Sequence, residues 1–313
     1  MHRQLALLMA LWLVPLAALR AEEKPTIAPS AKRAPAKATS AFGDTPAGKP
    51  FIYKQSAGKP REMEIYFPPN HDPAKTKVPG LILFHGGGWS SGTRAQFRAA
   101  CQYFASRGLV TATAEYRMLS KAEAQALPKG ESHKRVCITD AKSAIRWLKQ
   151  HAGELGIDPA RIITGGGSAG GHIAVLATTN PGLNDPADPQ NIDTSVVAYL
   201  LFNPAFAPAD KQDAEVDVLQ QVKPTLPPAI VFFGTKDSWK PGWDALHAQL
   251  TTAGNKTTNL QLAQGQAHGF FNREPWLSVT LIAADRFLVQ RGLMSGEPMR
   301  SAPATGEKLL PSQ

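Results

Sequence analysis

The sequence predicts an α/β fold in which a mostly parallel sheet is covered by helices on both faces. Val78–Phe84 is an almost continuous apolar run, which is typical of a parallel strand buried on both sides. His133–Gln150 places its apolar residues on one helical face, and such helical segments alternate with short apolar runs along the chain. This alternation indicates β-α-β units. Two alternating runs before them, Phe51–Gln55 and Glu62–Phe67, predict an antiparallel hairpin at the start.

The remaining elements follow from the same patterns. We predict further strands at Leu109–Ala114, Arg161–Thr164, Val196–Phe202, Ala229–Phe233 and Asn259–Leu262. Further helices are predicted at Ala95–Ser106, Ala169–Thr179, Trp243–Thr252 and Trp276–Gln290.

The two ends of the chain differ in composition from this domain. Residues 1–21 resemble a secretory signal, with Arg3 ahead of an apolar run that is shorter than a membrane span, although a membrane anchor is the competing interpretation. Residues 22–50 are rich in Ala, Pro, Lys and Ser, which predicts a flexible leader. We therefore expect one folded domain at 51–298, a disordered tail at 299–313, and export to the periplasm or the medium.

The formal charge of +9 suggests a nucleic-acid partner, but its distribution argues against one. Residues 1–50 hold seven Lys or Arg and three acidic side chains, a net +4, which leaves +5 for the other residues. These charges are scattered and form no basic stripe with interleaved aromatic residues. We expect no nucleic-acid partner, no stable membrane insertion, and a solvated basic surface.

The chain has two cysteines, Cys101 and Cys137. In an exported protein a single pair is a candidate disulfide, and in a cytosolic protein the same pair would be two buried thiols. The sequence leaves both possibilities open because it does not give the distance between the two Cα atoms.

Ser168 lies in the run Gly165–Gly171, between a predicted strand and a predicted helix. The run contains G-x-S-x-G, a pattern in which a tight strand-to-helix turn projects the serine hydroxyl into a cleft. Glycines two positions on either side let the neighbouring backbone approach without Cβ clashes. The alternatives are a plain connecting turn or a phosphate cradle, but a dinucleotide fold would place its glycines in the first β-α unit.

A second glycine run, Gly86–Gly88, directly follows His85 and the strand Val78–Phe84, and Trp89 comes after it. Attack of a serine on an ester creates an oxyanion that needs N–H donors already aimed at it. We predict Gly87 and Gly88 as two of these donors and Ala169, which follows the serine, as the third. His85 is interpreted as an anchor of the loop and Trp89 as a packing residue or pocket wall.

With HGGGW and G-x-S-x-G in this order, the chain resembles the α/β-hydrolase superfamily, and within it the hormone-sensitive-lipase-like carboxylesterases. The resemblance covers about residues 60–295 and implies an α/β-hydrolase fold. Glu115–Arg117 is similar to a D-Y-R element of that family with Glu in place of Asp, a departure at a mainly structural position.

The family order of nucleophile, acid and histidine implies the rest of a catalytic triad. His268 is in a loop after a predicted strand, whereas His247 falls inside a predicted helix. Asp237 follows the strand Ala229–Phe233, from where a carboxylate can orient the imidazole. Asp244, at the start of the next helix, is the rival. Three other polar residues are assigned structural roles: Asp140, His172 and His85.

The resemblance implies acyl transfer to water through an acyl-enzyme on Ser168, with no cofactor and no metal. Segments 180–195 and 203–225 carry no long amphipathic helix, which predicts a minimal cap and an open cleft. Together with export, this resembles secreted acetyl and feruloyl carbohydrate esterases, so the expected substrate is a small-molecule or polysaccharide ester with a short acyl group. The alternatives are an amide hydrolase of the arylformamidase type and a non-catalytic binding protein on the same scaffold. Oligomeric state is left open.

Overall fold

The computed structural model describes residues 48–56 and 58–311, and in this part of the chain nine strands form one sheet in the order β1-β2-β4-β3-β5-β6-β7-β8-β9. The strands are β1 (Lys49–Ser56), β2 (Lys59–Tyr66), β3 (Val78–Phe84), β4 (Val110–Ala114), β5 (Ile157–Gly167), β6 (Ala198–Phe202), β7 (Ala229–Gly234), β8 (Thr258–Ala263) and β9 (Leu309–Pro311).

Eight α-helices and three short 3-10 turns connect these strands within the described residues. The helices are α1 (Arg98–Ser106), α2 (Lys121–Gln125), α3 (His133–Gln150), α4 (Ala152–Leu155), α5 (Ala169–Thr179), α6 (Val218–Gln221), α7 (Lys240–Thr252) and α8 (Trp276–Gln290).

The sheet is parallel from β4 to β8 and antiparallel at both ends, where β1 pairs with β2, β2 with β4, and β9 with β8. Residues of α3, α5 and α7 belong to one hydrophobic cluster, and residues of α1 and α8 belong to another. The predicted fold class is confirmed: a mostly parallel sheet with an N-terminal antiparallel hairpin and helices on both faces.

The parallel strands all end at the same edge of the sheet, and the loops that leave this edge carry the predicted site. His85 follows β3 and Ser168 follows β5. Asp237 and His268 lie in the loops after β7 and β8. Ligands of open α/β sheets bind at this carboxyl edge.

The two connections on either side of β6 are short of helix, as expected for a minimal cap; the one after β6 leaves the edge that carries the site, and the one before β6 lies at the opposite edge. Residues 180–197 contain no helix, and residues 203–225 contain only the turn Pro208–Gln212 and the four-residue helix α6. Among the described residues, no helix is long and apolar enough to cross a membrane. The predicted signal at 1–21 lies outside the described residues, as does the predicted leader up to residue 47.

Two predicted boundaries need correction. The composition predicts a leader up to residue 50, but Lys49 and Pro50 already belong to β1, where they pair with Ile65 and Glu64. The sequence predicts a disordered tail at 299–313, but Leu309–Pro311 form β9 on the edge of β8. Pairing satisfies backbone groups that an edge strand would otherwise leave to solvent, and three residues are enough for it here.

The cysteines are two buried free thiols. Cys101 on α1 and Cys137 on α3 lie in different hydrophobic clusters, on opposite faces of the sheet, so the candidate disulfide is wrong. The sheet itself separates the two sulfurs, and a disulfide requires Cα atoms within about 7 Å of each other. Burial also raises the pKa of both thiols well above the ordinary value.

Candidate active site

Ser168 occupies the turn between β5 and α5 with φ 52° and ψ −121°, a conformation that L-residues rarely adopt. Two backbone hydrogen bonds hold it there. The Ser168 N–H donates to the carbonyl of Phe202 at 3.0 Å, and the Ala205 N–H donates to the carbonyl of Ser168 at 3.0 Å. The end of β6 therefore fixes the serine from the side, and its half-buried hydroxyl faces the loops at the sheet edge.

The flanking glycines are required by close backbone contacts. A Cβ on Gly166 would overlap the carbonyl oxygen of Phe84, and a Cβ on Gly170 would overlap the carbonyl oxygens of Phe84 and His85. The turn that carries Ser168 thus lies directly against the end of β3. Only glycine fits two positions before and two positions after the serine, which explains the spacing of G-x-S-x-G.

The structure brings Ser168, His268 and Asp237 into one hydrogen-bonded line. His268 Nε2 lies 2.8 Å from Ser168 Oγ, and His268 Nδ1 lies 2.9 and 3.0 Å from the two carboxylate oxygens of Asp237. The Asp237 side chain is fully buried and the His268 side chain is 32% exposed. In this arrangement an Nδ1–H bonded to the carboxylate leaves Nε2 free to accept the serine proton.

The loop after β7 holds Asp237 in place. Its Oδ1 accepts a hydrogen bond from the Trp239 N–H at 2.9 Å, and its own N–H donates to the carbonyl of Gly234 at 3.1 Å. The partly buried Trp239 ring lies 6.3 Å from the His268 ring and 6.2 Å from the Trp89 ring, measured between centroids. Aromatic side chains therefore flank the imidazole on the side of the glycine loop.

The glycine loop after β3 runs beside Ser168. The carbonyl of Gly87 accepts hydrogen bonds from the N–H groups of Ser90 and Ser91 at 3.2 and 3.0 Å, and this turn gives Gly87 and Gly88 positive φ angles. In the part of the chain that the structure describes, no acceptor takes a hydrogen bond from the N–H groups of Gly87 and Gly88. Ala169 is the first residue of α5, so its N–H has no partner within the helix. These three amides are available to a ligand.

His85 has the geometry of an anchor. Its ring stacks on Tyr116 at 4.3 Å between centroids, its Nδ1 lies 2.7 Å from the Gly86 carbonyl, and the Tyr116 hydroxyl donates to the His85 carbonyl at 2.8 Å. The side chain is fully buried, and burial lowers the pKa of His85. A buried neutral imidazole that faces its own loop supports the structural role assigned from the sequence.

Trp89, at the end of the glycine loop, contacts His172. Trp89 Nε1–H donates to His172 Nδ1 at 3.2 Å, so the proton of this imidazole is on Nε2, which lies 2.8 Å from the Val216 carbonyl. The Lys134 ammonium lies 3.9 Å from the Trp89 ring centroid and pairs with Asp210. His172 therefore packs beneath the loop, as predicted.

The rival residues all have structural partners. Asp244 pairs with Lys240 one helical turn away, and His247 stacks on Trp243 at 5.9 Å between centroids. Asp140 is fully buried and accepts from Arg117 at 2.8 Å. None of these three side chains forms a hydrogen bond with Ser168 in the described structure.

Three amide side chains that the sequence analysis did not identify connect the parts of the site. Gln96 Oε1 accepts from the Gly86 N–H at 2.6 Å, and Gln96 Nε2 donates to Asn272 Oδ1 at 2.9 Å. Asn272 Nδ2 donates to the carbonyl of Gly269 at 2.9 Å, and the N–H of Gly269 donates to Asn203 Oδ1 at 3.1 Å. The only signal in the sequence is that Asn203 directly follows a buried strand, where site residues of α/β folds often lie.

A surface cavity of about 680 Å³ opens beside His268 and is lined on its other side by the loop that leads to α8. Within residues 48–56 and 58–311, no group of three or more His, Cys, Asp or Glu side chains is arranged to hold a metal ion.

Comparison with known proteins places this site in a family. The BD-FAE family model matches residues 63–199. Esterase 2 of Thermogutta terrifontis is 34% identical, with a TM-score of 0.72 over 80% of this chain and 97% of that one. The same esterase has also been solved phosphoramylated by tabun, at 35% identity and a TM-score of 0.72.

Curated relatives agree with this match. Carboxylesterase NlhH of Mycobacterium tuberculosis is 26% identical over 245 residues, which cover 67% of this chain and 71% of that protein. Probable carboxylic ester hydrolase LipM of the same organism is 27% identical over 229 residues. The chain belongs to the hormone-sensitive-lipase-like carboxylesterases of the α/β-hydrolase superfamily and is a serine hydrolase of carboxylic esters.

Proposed function

We propose that the chain hydrolyses its esters in two steps through an acyl-enzyme on Ser168. The hydrogen-bonded line Ser168–His268–Asp237 carries this proposal. His268 Nε2 takes the hydroxyl proton while Ser168 Oγ attacks the ester carbonyl, and the alcohol leaves with that proton. Water, deprotonated by the same imidazole, then releases the acid and restores Ser168. Asp237 holds the tautomer and stabilises the imidazolium.

The oxyanion formed in both steps is assigned to the N–H groups of Gly87, Gly88 and Ala169. Their lack of another acceptor and the N-terminal position of Ala169 on α5 support this role. Each such donor lowers the barrier by about 3 kcal/mol. The links of the loop to Tyr116 and Gln96 keep the donors in place before the charge develops.

The proposed substrates are short-acyl esters, with O-acetyl or feruloyl groups on carbohydrates as the preferred class. The near absence of helix in residues 203–225, which leave the sheet edge at the site, and the partial exposure of Ser168 and His268 support a site that a bulky alcohol can reach. Trp239, partly exposed beside the imidazole, offers a flat apolar wall of the kind that ring-shaped groups pack against. Structures of Thermogutta terrifontis esterase 2 with bound propionate and butyrate show that this relative accepts short acids.

An exported location, periplasmic or secreted, is part of the same proposal. The N-terminal run of residues 1–21 supports it, and a polysaccharide substrate would require it. N-terminal sequencing of the protein recovered from the periplasm or medium of an expressing culture tests this point. Recovery of the full-length chain from the cytosol alone would contradict it.

A chain-length series of nitrophenyl esters, run beside acetylated xylan and an N-formyl aromatic amide, tests the substrate class. We expect kcat/KM to be highest for acyl groups of two to four carbons. In an open cleft each further CH₂ has little apolar wall to contact, so it gains only a small part of the about 0.8 kcal/mol that full burial would give. Acetate release from the xylan is also expected.

A kcat/KM that rises steadily up to eight carbons would contradict the short-acyl proposal. Faster cleavage of the amide than of every ester would instead favour an arylformamidase-like activity. Ser168→Ala is the control for both assays, because it removes the nucleophile and leaves the cleft unchanged.

A further inference from the structure

Asn203 sits at the end of β6 in a conformation that few residue types adopt. It has φ 42°, is completely buried, and its N–H donates to the carbonyl of Phe232 at 2.7 Å. Asparagine enters the left-handed region more easily than most residues because its short polar side chain bonds locally. The strand end and this backbone conformation direct the side chain toward the loop that carries His268.

The contacts of Asn203 define which way its amide points. The Gly269 N–H donates to Oδ1 at 3.1 Å, so this atom is the acceptor and the other side-chain atom is the NH₂ group. Nδ2 then lies 3.5 Å from His268 Nε2, the same nitrogen that faces Ser168 Oγ at 2.8 Å. A donor therefore faces the nitrogen that accepts the serine proton.

We propose that Asn203 is a positioning residue that fixes the His268–Gly269 peptide and places an N–H donor beside the nitrogen that accepts the serine proton. A neutral Nε2 carries a lone pair, which an N–H donor stabilises. A protonated Nε2 carries its own N–H, and the two donors would then face each other. The inference rests on the proposed roles of Ser168 and His268.

Among the described residues, no charged side chain forms a hydrogen bond or an ion pair with His268 Nε2. Asp237 lies on the Nδ1 side of the ring. Arg273 and Glu274 line the cavity beside the imidazole, and Glu274 pairs with Arg300. On α7, Lys240 pairs with Asp244. In the described structure, His268 Nε2 thus meets the half-buried Ser168 hydroxyl and one fully buried polar side chain, that of Asn203.

The variant Asn203→Asp tests this role with almost no change of shape. It keeps an oxygen for the Gly269 N–H and tolerates the positive φ, but it replaces the donor near Nε2 with a carboxylate oxygen. A carboxylate at this distance stabilises the imidazolium, so the acid limb of the kcat/KM profile is expected to move to higher pH by about one unit or more. An acid limb that coincides with that of the wild type overturns the proposal.

Two further variants separate this effect from alternatives. Asn203→Gly also permits the positive φ but removes both contacts. We expect kcat to fall about 10- to 100-fold with little change in KM, and the acid limb to move in the same direction by less. This variant tests the role of Asn203 if the aspartate variant does not fold. A folded Asn203→Gly protein with wild-type kcat overturns the positioning role.

Asn272→Asp is the matched charge control. Asn272 donates to the carbonyl of Gly269, in the next peptide along the chain, but its side chain is exposed and forms no hydrogen bond with His268 in the described structure. Its kcat is expected to fall because the bond to the Gly269 carbonyl is lost, but its acid limb should stay close to that of the wild type, because solvent screens an exposed charge. An equal shift in this variant would mean that any nearby carboxylate suffices, which overturns the specific role of Asn203.

The wild type and Ser168→Ala are measured in the same buffers. If Ser168→Ala retains activity, the proposed function fails. If Ser168→Ala is inactive and the Asn203 variants show the wild-type profile, only the present inference fails.

Discussion

Gly170 lies where the first turn of α5 touches the end of β3. A Cβ at this position would overlap the carbonyl oxygens of Phe84 and His85, both of which belong to the rigid strand end that starts the glycine loop. We expect Gly170→Ala to destabilise the protein by about 1–3 kcal/mol. It should also lower kcat/KM about 100-fold, because it separates the predicted oxyanion donors from Ser168.

Gly153 provides the control for this substitution. It lies in α4, is exposed, and has open space where a Cβ would be added. Gly153→Ala should leave kcat/KM unchanged and stabilise the protein by up to about 1 kcal/mol. Thermal melts and esterase assays of both variants check the pair. Wild-type activity in Gly170→Ala would show that the turn and the glycine loop need not touch.

The site residues that the sequence identifies are those marked by a local sequence pattern. Ser168 is marked by its glycines, and Asp237 and His268 by their places after successive strands. The sequence does not identify Asn203 and Asn272, because their role depends on contacts with Gly269. Asn203 is 66 residues away from Gly269 in the chain. No local pattern distinguishes an asparagine that bonds a catalytic loop from one that merely ends a strand.

At the scale of elements, strand order decides which face each helix covers. Parallel crossovers are right-handed, so a step from β3 to β4 and a step back from β4 to β5 place their helices on opposite faces. This reversal puts α1 and α3 on different sides of the sheet. The sequence predicts the elements but not their lateral order, and for this reason it left the pairing of Cys101 with Cys137 open.

The position of the cysteines gives a direct test of this topology. Denatured protein that has not been reduced should titrate two thiols per chain, and the native protein should react slowly, because both side chains are buried and their raised pKa leaves little thiolate. A reductant should leave the melting temperature unchanged. Finding no titratable thiol in the denatured, unreduced chain would contradict the arrangement of α1 and α3.

The strand whose bounds the sequence predicts most closely is buried in the middle of the sheet. Val78–Phe84 has the same bounds in the prediction and in the structure, because nearly every residue of this strand is apolar. β9 was missed because its three residues, Leu309–Pro311, follow a polar segment and gain their structure only by pairing with β8, almost fifty residues earlier in the chain. A short edge strand leaves no periodic pattern.

At the scale of the whole molecule, the sheet serves as a rigid platform for loops that come from distant parts of the sequence. The chain of amide side chains from Gly86 through Gln96 and Asn272 to Gly269 ties the glycine loop to the His268 loop. Such a tie fixes the distance between the predicted oxyanion donors and the base before a substrate arrives. Sites held in this way need little reorganisation during the reaction.

Reaction with paraoxon, read by intact mass and peptide mapping, tests the central claim most directly. Ser168 Oγ should displace the nitrophenolate and carry one phosphoryl group per chain, with esterase activity lost in proportion to the label. Ser168→Ala should take no label and hydrolyse esters several orders of magnitude more slowly than the wild type. Inactivation of the wild type without a modified Ser168, or a Ser168→Ala protein with near wild-type activity, would contradict the account.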